Sequence, residues 1–161
     1  MKKLIFCCLV LLMGASACKD DDKVEPDVDF ASEFIGNYAT STAVTNFTSA
    51  MDWVVTSPGK NQLNIVFTKK SRVEVPQLGN FIDITQVYKL SNVKITAADK
   101  IEINETVDVE QSLGGALQQK LEGTGTKVIN GAGIPQVNIT LKMRNTGNGK
   151  ETEEYLEFKK Q

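Results

Sequence analysis

Val137-Asn138-Ile139-Thr140-Leu141-Lys142-Met143 decides the fold. Apolar and polar residues alternate one by one along it. Successive side chains of a β-strand point to opposite faces, so the stretch reads as a strand with one face on a core and one in water. The pattern repeats outward from there. Upstream, Leu63, Ile65 and Phe67 alternate with Asn64, Val66 and Thr68, Ile101 and Ile103 with Glu102 and Asn104, and Val107 and Val109 with Asp108. Downstream, Leu156 and Phe158 face one way, and Tyr155 and Glu157 the other.

Turn signals punctuate these runs. They are Ser57-Pro58-Gly59-Lys60-Asn61, Gln77-Leu78-Gly79-Asn80, Ala97-Ala98-Asp99-Lys100, Asn130-Gly131-Ala132-Gly133 and Asn145-Thr146-Gly147-Asn148-Gly149. Asn and Gly supply the positive φ angles that tight hairpins require. Strands are predicted over 34–44, 51–57, 62–70, 80–88, 91–96, 100–109, 119–129, 136–144 and 152–159, with Val73 and Val75 extending the third or forming a short edge. Gln111 to Leu121 has helix formers around Ala116, but Gly114-Gly115 restricts it to a single turn or a short helix.

Short connections and one apolar face per strand predict an all-β, antiparallel domain. The architecture is an up-and-down barrel of about eight strands, with a β-sandwich as the alternative. Closure into a barrel removes exposed edges and suits successive hairpins in a chain this short.

The first residues are a targeting segment and stand outside the fold. Lys2 and Lys3 precede an apolar run from Leu4 to Met13, followed by small residues up to Ala17. That layout is a secretory signal peptide, 1–17. A run of ten is too short to cross a bilayer, which takes about 20 apolar residues. Residues 18–29 read as an acidic tether that begins at Cys18, and 30–161 as a single domain.

Ala15-Ser16-Ala17-Cys18 resembles the lipobox of bacterial lipoproteins, with Ala15 where the family usually has Leu. The resemblance implies cleavage before Cys18 and transfer of diacylglycerol to its thiol. An ordinary cut after Ala17 is the alternative. The run that follows, Lys19-Asp20-Asp21-Asp22-Lys23, argues for the lipoprotein, because it resembles the surface-export signal of Bacteroidota lipoproteins. The same run is also a solvated tether, since like charges repel and do not pack. The expected location is the outer membrane, lipid-anchored at the cell surface.

Composition narrows the chemistry. Cys7 and Cys8 leave with the signal peptide and Cys18 is the lipidation site, so the domain is expected to have no disulfide. Residues 19–29 hold two Lys against six Asp and Glu, and residues 30–161 hold 14 Lys and Arg against 14 Asp and Glu. A neutral domain with no basic stripe is a poor partner for nucleic acid. Histidine is absent, which excludes Ser-His-Asp triads, Cys-His pairs and histidine-based zinc sites. Paired carboxylates such as Glu153 and Glu154, or Glu102 and Asp108, read as solvated groups; neighbours on a strand point to opposite faces. A non-enzyme without cofactor or metal, and a monomer, is expected.

Phe34-Ile35-Gly36-Asn37-Tyr38 resembles the Phe-x-Gly-x-Tyr/Trp opening of lipocalin-like (calycin) barrels. Leu121-Glu122-Gly123-Thr124-Gly125, the 137–141 strand and Tyr155-Leu156-Glu157-Phe158 resemble the last strands of calycin-like lipoproteins. The resemblance implies a small apolar or amphipathic ligand inside the barrel, with Tyr38 and Trp53 at its base and wall. A core filled by Leu, Ile, Val and Phe is the competing expectation. Trp53, Tyr38, Tyr88 and Tyr155 are the residues suited to stacking on a sugar, so a non-catalytic glycan- or protein-interaction module accessory to an outer-membrane complex is the alternative function.

Overall fold

The computed structural model describes residues 28–45, 47–75 and 80–161. Eight antiparallel strands close into one up-and-down barrel in chain order: β1 (Gly36–Val44), β2 (Phe47–Gly59), β3 (Gln62–Val75), β4 (Asn80–Ala97), β5 (Lys100–Gln111), β6 (Leu117–Ile129), β7 (Pro135–Asn145) and β8 (Glu151–Lys160). A 3-10 turn, η1 (Ala31–Glu33), precedes β1, and no α-helix occurs among the described residues. The barrel holds and the sandwich does not.

The two strands expected over 80–88 and 91–96 are one continuous strand, β4. Its alternation slips by one residue, because Leu90 and Val93 are both buried with Ser91 and Asn92 exposed between them. That slip is a bulge, and in sequence it reads as a turn. The Glu105 carboxylate fastens it, accepting from the backbone N–H groups of Ser91 and Asn92 at 3.0 Å. β2 begins at Phe47 rather than at 51, and β3 extends through Val75. The stretch from Ser112 to Ala116 is a bend, not a helix. Gly114 sits at φ 108°, and Gln111 Nε2 donates to the Gly115 carbonyl at 2.6 Å. The turn assigned to 77–80 lies outside the described residues apart from Asn80.

Inside, the register stacks the side chains in layers. At the waist Tyr38 stands opposite Trp53, Trp53 opposite Phe67, and Phe67 opposite Tyr88. Trp53 stacks on Phe158 of β8 with centroids 3.9 Å apart, and Phe67 stacks on Tyr88 at 5.0 Å. Phe67 also presents edge-on to Trp53 and Phe158. Each such pair contributes about 0.5–1.5 kcal/mol beyond its buried area. Leu63, Ile65, Ile101, Ile103, Val137, Ile139, Leu141 and Leu156 complete a core with almost no solvent exposure.

Two inward positions on β6 are glycine for lack of room. A Cβ on Gly123 would lie 2.6 Å from the Thr140 carbonyl oxygen, and one on Gly125 would lie 2.9 Å from Ile101. Their bareness lets the neighbouring strands and large side chains approach.

One end of the barrel is closed by the chain before β1. Phe34 and Ala31 are buried beneath the core, and the Tyr38 hydroxyl donates to the Phe34 carbonyl at 3.0 Å. Asn61, in the β2–β3 turn at φ 50°, clasps this segment. Its side chain accepts from the Phe30 N–H at 2.9 Å and donates to the Val28 carbonyl at 3.0 Å. Asp29 accepts from the N–H groups of Ala31 and Asn61. Lys127 bridges to Glu33 at 2.6 Å and lies over the Phe34 ring.

Candidate functional site at the open end of the barrel

Above the aromatic waist the interior turns polar. The next row places Thr40, Met51, Lys69, Gln86 and Gln111 opposite one another across β1 to β5. Lys69 continues the inward phase of Leu63, Ile65 and Phe67, and Glu154 that of Leu156 and Phe158. The two meet across the mouth, Lys69 Nζ to Glu154 Oε1 at 2.9 Å, with 12% and 32% of their side-chain surfaces exposed. Gln86 donates to Gln111 at 3.3 Å and accepts from the Tyr88 hydroxyl at the same distance. Burial, and then the Glu154 charge, push the Tyr88 phenol up to about 12.

Lys69, Gln86, Tyr88 and Glu154 border a pocket of about 260 Å³ between the tips of the strands. Tyr88, Leu117 and Met143 supply its apolar lining, and Gln119, Asn145 and Thr152 further polar groups. Among the described residues, the Gln119 side-chain oxygen is buried without a hydrogen-bond partner. A buried acceptor left unpaired costs about 1–3 kcal/mol, so a ligand hydroxyl or N–H arriving here would relieve it.

The rim is apolar again on one side. Thr42, Ser49, Ser71 and Ile84 form the next row, and Val44, Phe47, Val73 and Ile82 the last, each opposite its neighbour. Val44 is 67% exposed and Ile82 40%. From the base outward, the inner surface of β1 to β4 therefore runs aromatic, polar, small hydroxyl, apolar.

Tyr38 and Trp53 lie in the packed waist, each 1% exposed, and the Trp53 indole N–H has no hydrogen-bond partner among the described residues. Burial raises the Tyr38 phenol above its ordinary value. Tyr88 forms the pocket floor and Tyr155 is exposed on the outer wall. Glu153 and Glu154 do point to opposite faces, but Glu154 is the inward one and belongs to the mouth. Cys18 and the run Lys19, Asp20, Asp21 and Asp22 lie outside the described residues. Among the described residues no cluster of three or more metal-ligating side chains occurs. Neither a family model nor a curated protein matches the chain in sequence.

Proposed function

We propose that this chain is a non-catalytic binding protein, lipid-anchored through Cys18 at the outer face of an outer membrane, that takes a small amphipathic ligand in the mouth of its barrel. The layered inner surface carries the reading. A polar group on the ligand reaches Lys69, Glu154 and the unpartnered Gln119 oxygen, while its apolar part lies on Val73, Ile84 and Phe47. Concave sites with an apolar lining and a few convergent polar groups are the usual form of small-molecule sites. The pocket, about 260 Å³, is just below the usual range, so the ligand is small or only partly enclosed. The absence of histidine supports a non-catalytic role, because acid-base work near neutral pH most often uses it. The Ala15-Ser16-Ala17-Cys18 site and its acidic follower support the anchoring.

Native mass spectrometry of protein purified from its host, with displacement of a fluorescent fatty acid, tests the binding. Bound ligand whose affinity falls about tenfold in Lys69→Met or Val73→Asp is the expected result. No displaceable ligand would favour a second reading, an accessory module for glycan or a partner protein beside an outer-membrane complex. The filled waist is the observation on its side.

A further inference from the structure

The seam that closes the barrel is only partly zipped. β6 and β7 run in register from Gln119 opposite Asn145 to Ile129 opposite Pro135. β1 and β8, by contrast, pair only at Tyr38 with Lys160 and Ala39 with Lys159, beside one bond from the Gln161 N–H to the Asn37 carbonyl. Beyond this point, among the described residues, no strand pairs with that edge of β1 from Thr40 to Val44, or with that edge of β8 from Glu151 to Phe158. A groove of about 480 Å³ opens where the zip ends, lined by Ala39, Thr40, Ser41, Asp52, Glu157 and Lys159 among others.

Free strand edges are templates for another strand, and soluble proteins usually blunt them with Lys, Pro or a bulge. The β1 edge, Thr40-Ser41-Thr42-Ala43-Val44, carries none of these. We propose that this seam receives an extended segment of a partner polypeptide, with basic and apolar residues in alternation, as an added strand between β1 and β8.

The charges choose the occupant. On the outer face the added strand would lie beside Glu153, Tyr155 and Glu157 of β8 and the small Ser41 and Ala43 of β1, with Lys159 at the end where β1 and β8 still pair. Glu157 has no ion-pair partner among the described residues, accepting only from the Tyr155 hydroxyl at 3.5 Å. Outward positions therefore favour Lys or Arg. Inward positions lie beside Thr40, Thr42 and Val44 of β1 and Phe158, Leu156 and Glu154 of β8; with Glu154 already held by Lys69, this favours apolar residues of modest size. The chain's own residues 19–29, with six acidic side chains against two Lys, would face like charge. A second copy adding its β8 would set glutamates against glutamates.

The test uses the full chain in detergent and a fluorescent peptide of about eight residues alternating lysine and valine, the length of a typical added strand. Controls are the same peptide with a central proline and one with glutamate in place of lysine. Expected are binding of the first peptide, at least roughly tenfold weaker binding of both controls, and slowed exchange confined to the amides of 40–44 and 151–158 that do not bond to β2 or β7. Glu157→Lys should weaken binding at least about fivefold. Equal binding by the proline peptide, or slowed exchange at the mouth instead, would overturn the proposal. So would protection, without peptide, of those amides from Thr40 to Val44 that point away from β2, in a monomer or a dimer.

Discussion

Lys69 and Glu154 hold each other at 2.9 Å across the mouth of the barrel, from strands that are not neighbours in the sheet. Removing one partner of a largely buried pair strands the other charge, whereas replacing both with apolar groups of similar volume is often neutral. Partial exposure of Glu154 lessens the effect. Lys69→Met or Glu154→Leu alone should destabilise by about 1–3 kcal/mol, and the double substitution by less than either. Urea unfolding followed by Trp53 fluorescence measures all three. A double variant as unstable as the sum of the singles would show that the two side chains act separately.

Tyr88 ties this pair to alkaline pH. Its phenol is raised from an ordinary 10.0 to about 12, first by burial and second by Glu154. The neutral form is thus favoured by folding. The stabilisation is fully present below pH 10.0 and is lost as pH rises through about 12. Stability should fall across that window, and Tyr88→Phe should flatten the fall. Glu154→Gln should bring the Tyr88 titration down without returning it to the ordinary value, because burial remains. Ultraviolet titration of the phenols follows both.

Gly123→Ala should destabilise by about 1–3 kcal/mol, since the added methyl would sit 2.6 Å from the Thr140 carbonyl oxygen. Backbone cannot step aside as a flexible side chain can. Gly131→Ala, with open space around its Cβ, is the matched control and should change stability little. Thermal melts of the two variants suffice for the comparison.

The clasp at the closed end should open in acid. N–H groups of Ala31 and Asn61 hold the Asp29 carboxyl below its ordinary 3.8. Its contribution is present above that ordinary value and is lost as pH falls through the depressed one. Amide exchange of Ala31 and Asn61 should therefore quicken at low pH before the core strands do. Asp29→Asn should remove most of that pH dependence.

Alternation alone was enough to read the strands and the inward face of β3, β5, β7 and β8. Val137, Ile139, Leu141 and Leu156 are buried, and Tyr155 is out, as their phase requires. Phase also held the clue to the mouth. Lys69 and Glu154 are in step with buried neighbours, yet a charged residue near a strand end is ordinarily solvated, and nothing local says that two of them meet. Register is what joins them, and it is fixed by the closure of the whole barrel. The bulge at Ser91-Asn92 was illegible for a related reason. It is held by Glu105 from another strand, and without that partner the two exposed polar residues look like a hairpin. The Asn61 clasp likewise needs the N-terminal segment to lie across the β2–β3 turn.

That clasp also gives the molecule an up and a down. It binds Val28 and Asp29 at the closed end, while the Lys69–Glu154 mouth opens between the opposite hairpins. The nine residues from Lys19 to Asp27 reach at most about 30 Å, at roughly 3.3–3.6 Å each. A barrel tethered by lipid at Cys18 would thus stand on its sealed base close to the bilayer, like a cup held by its foot. Whatever enters the cup would come from the far side, out of solution or from a neighbouring molecule, and not by rising straight out of the lipid beneath.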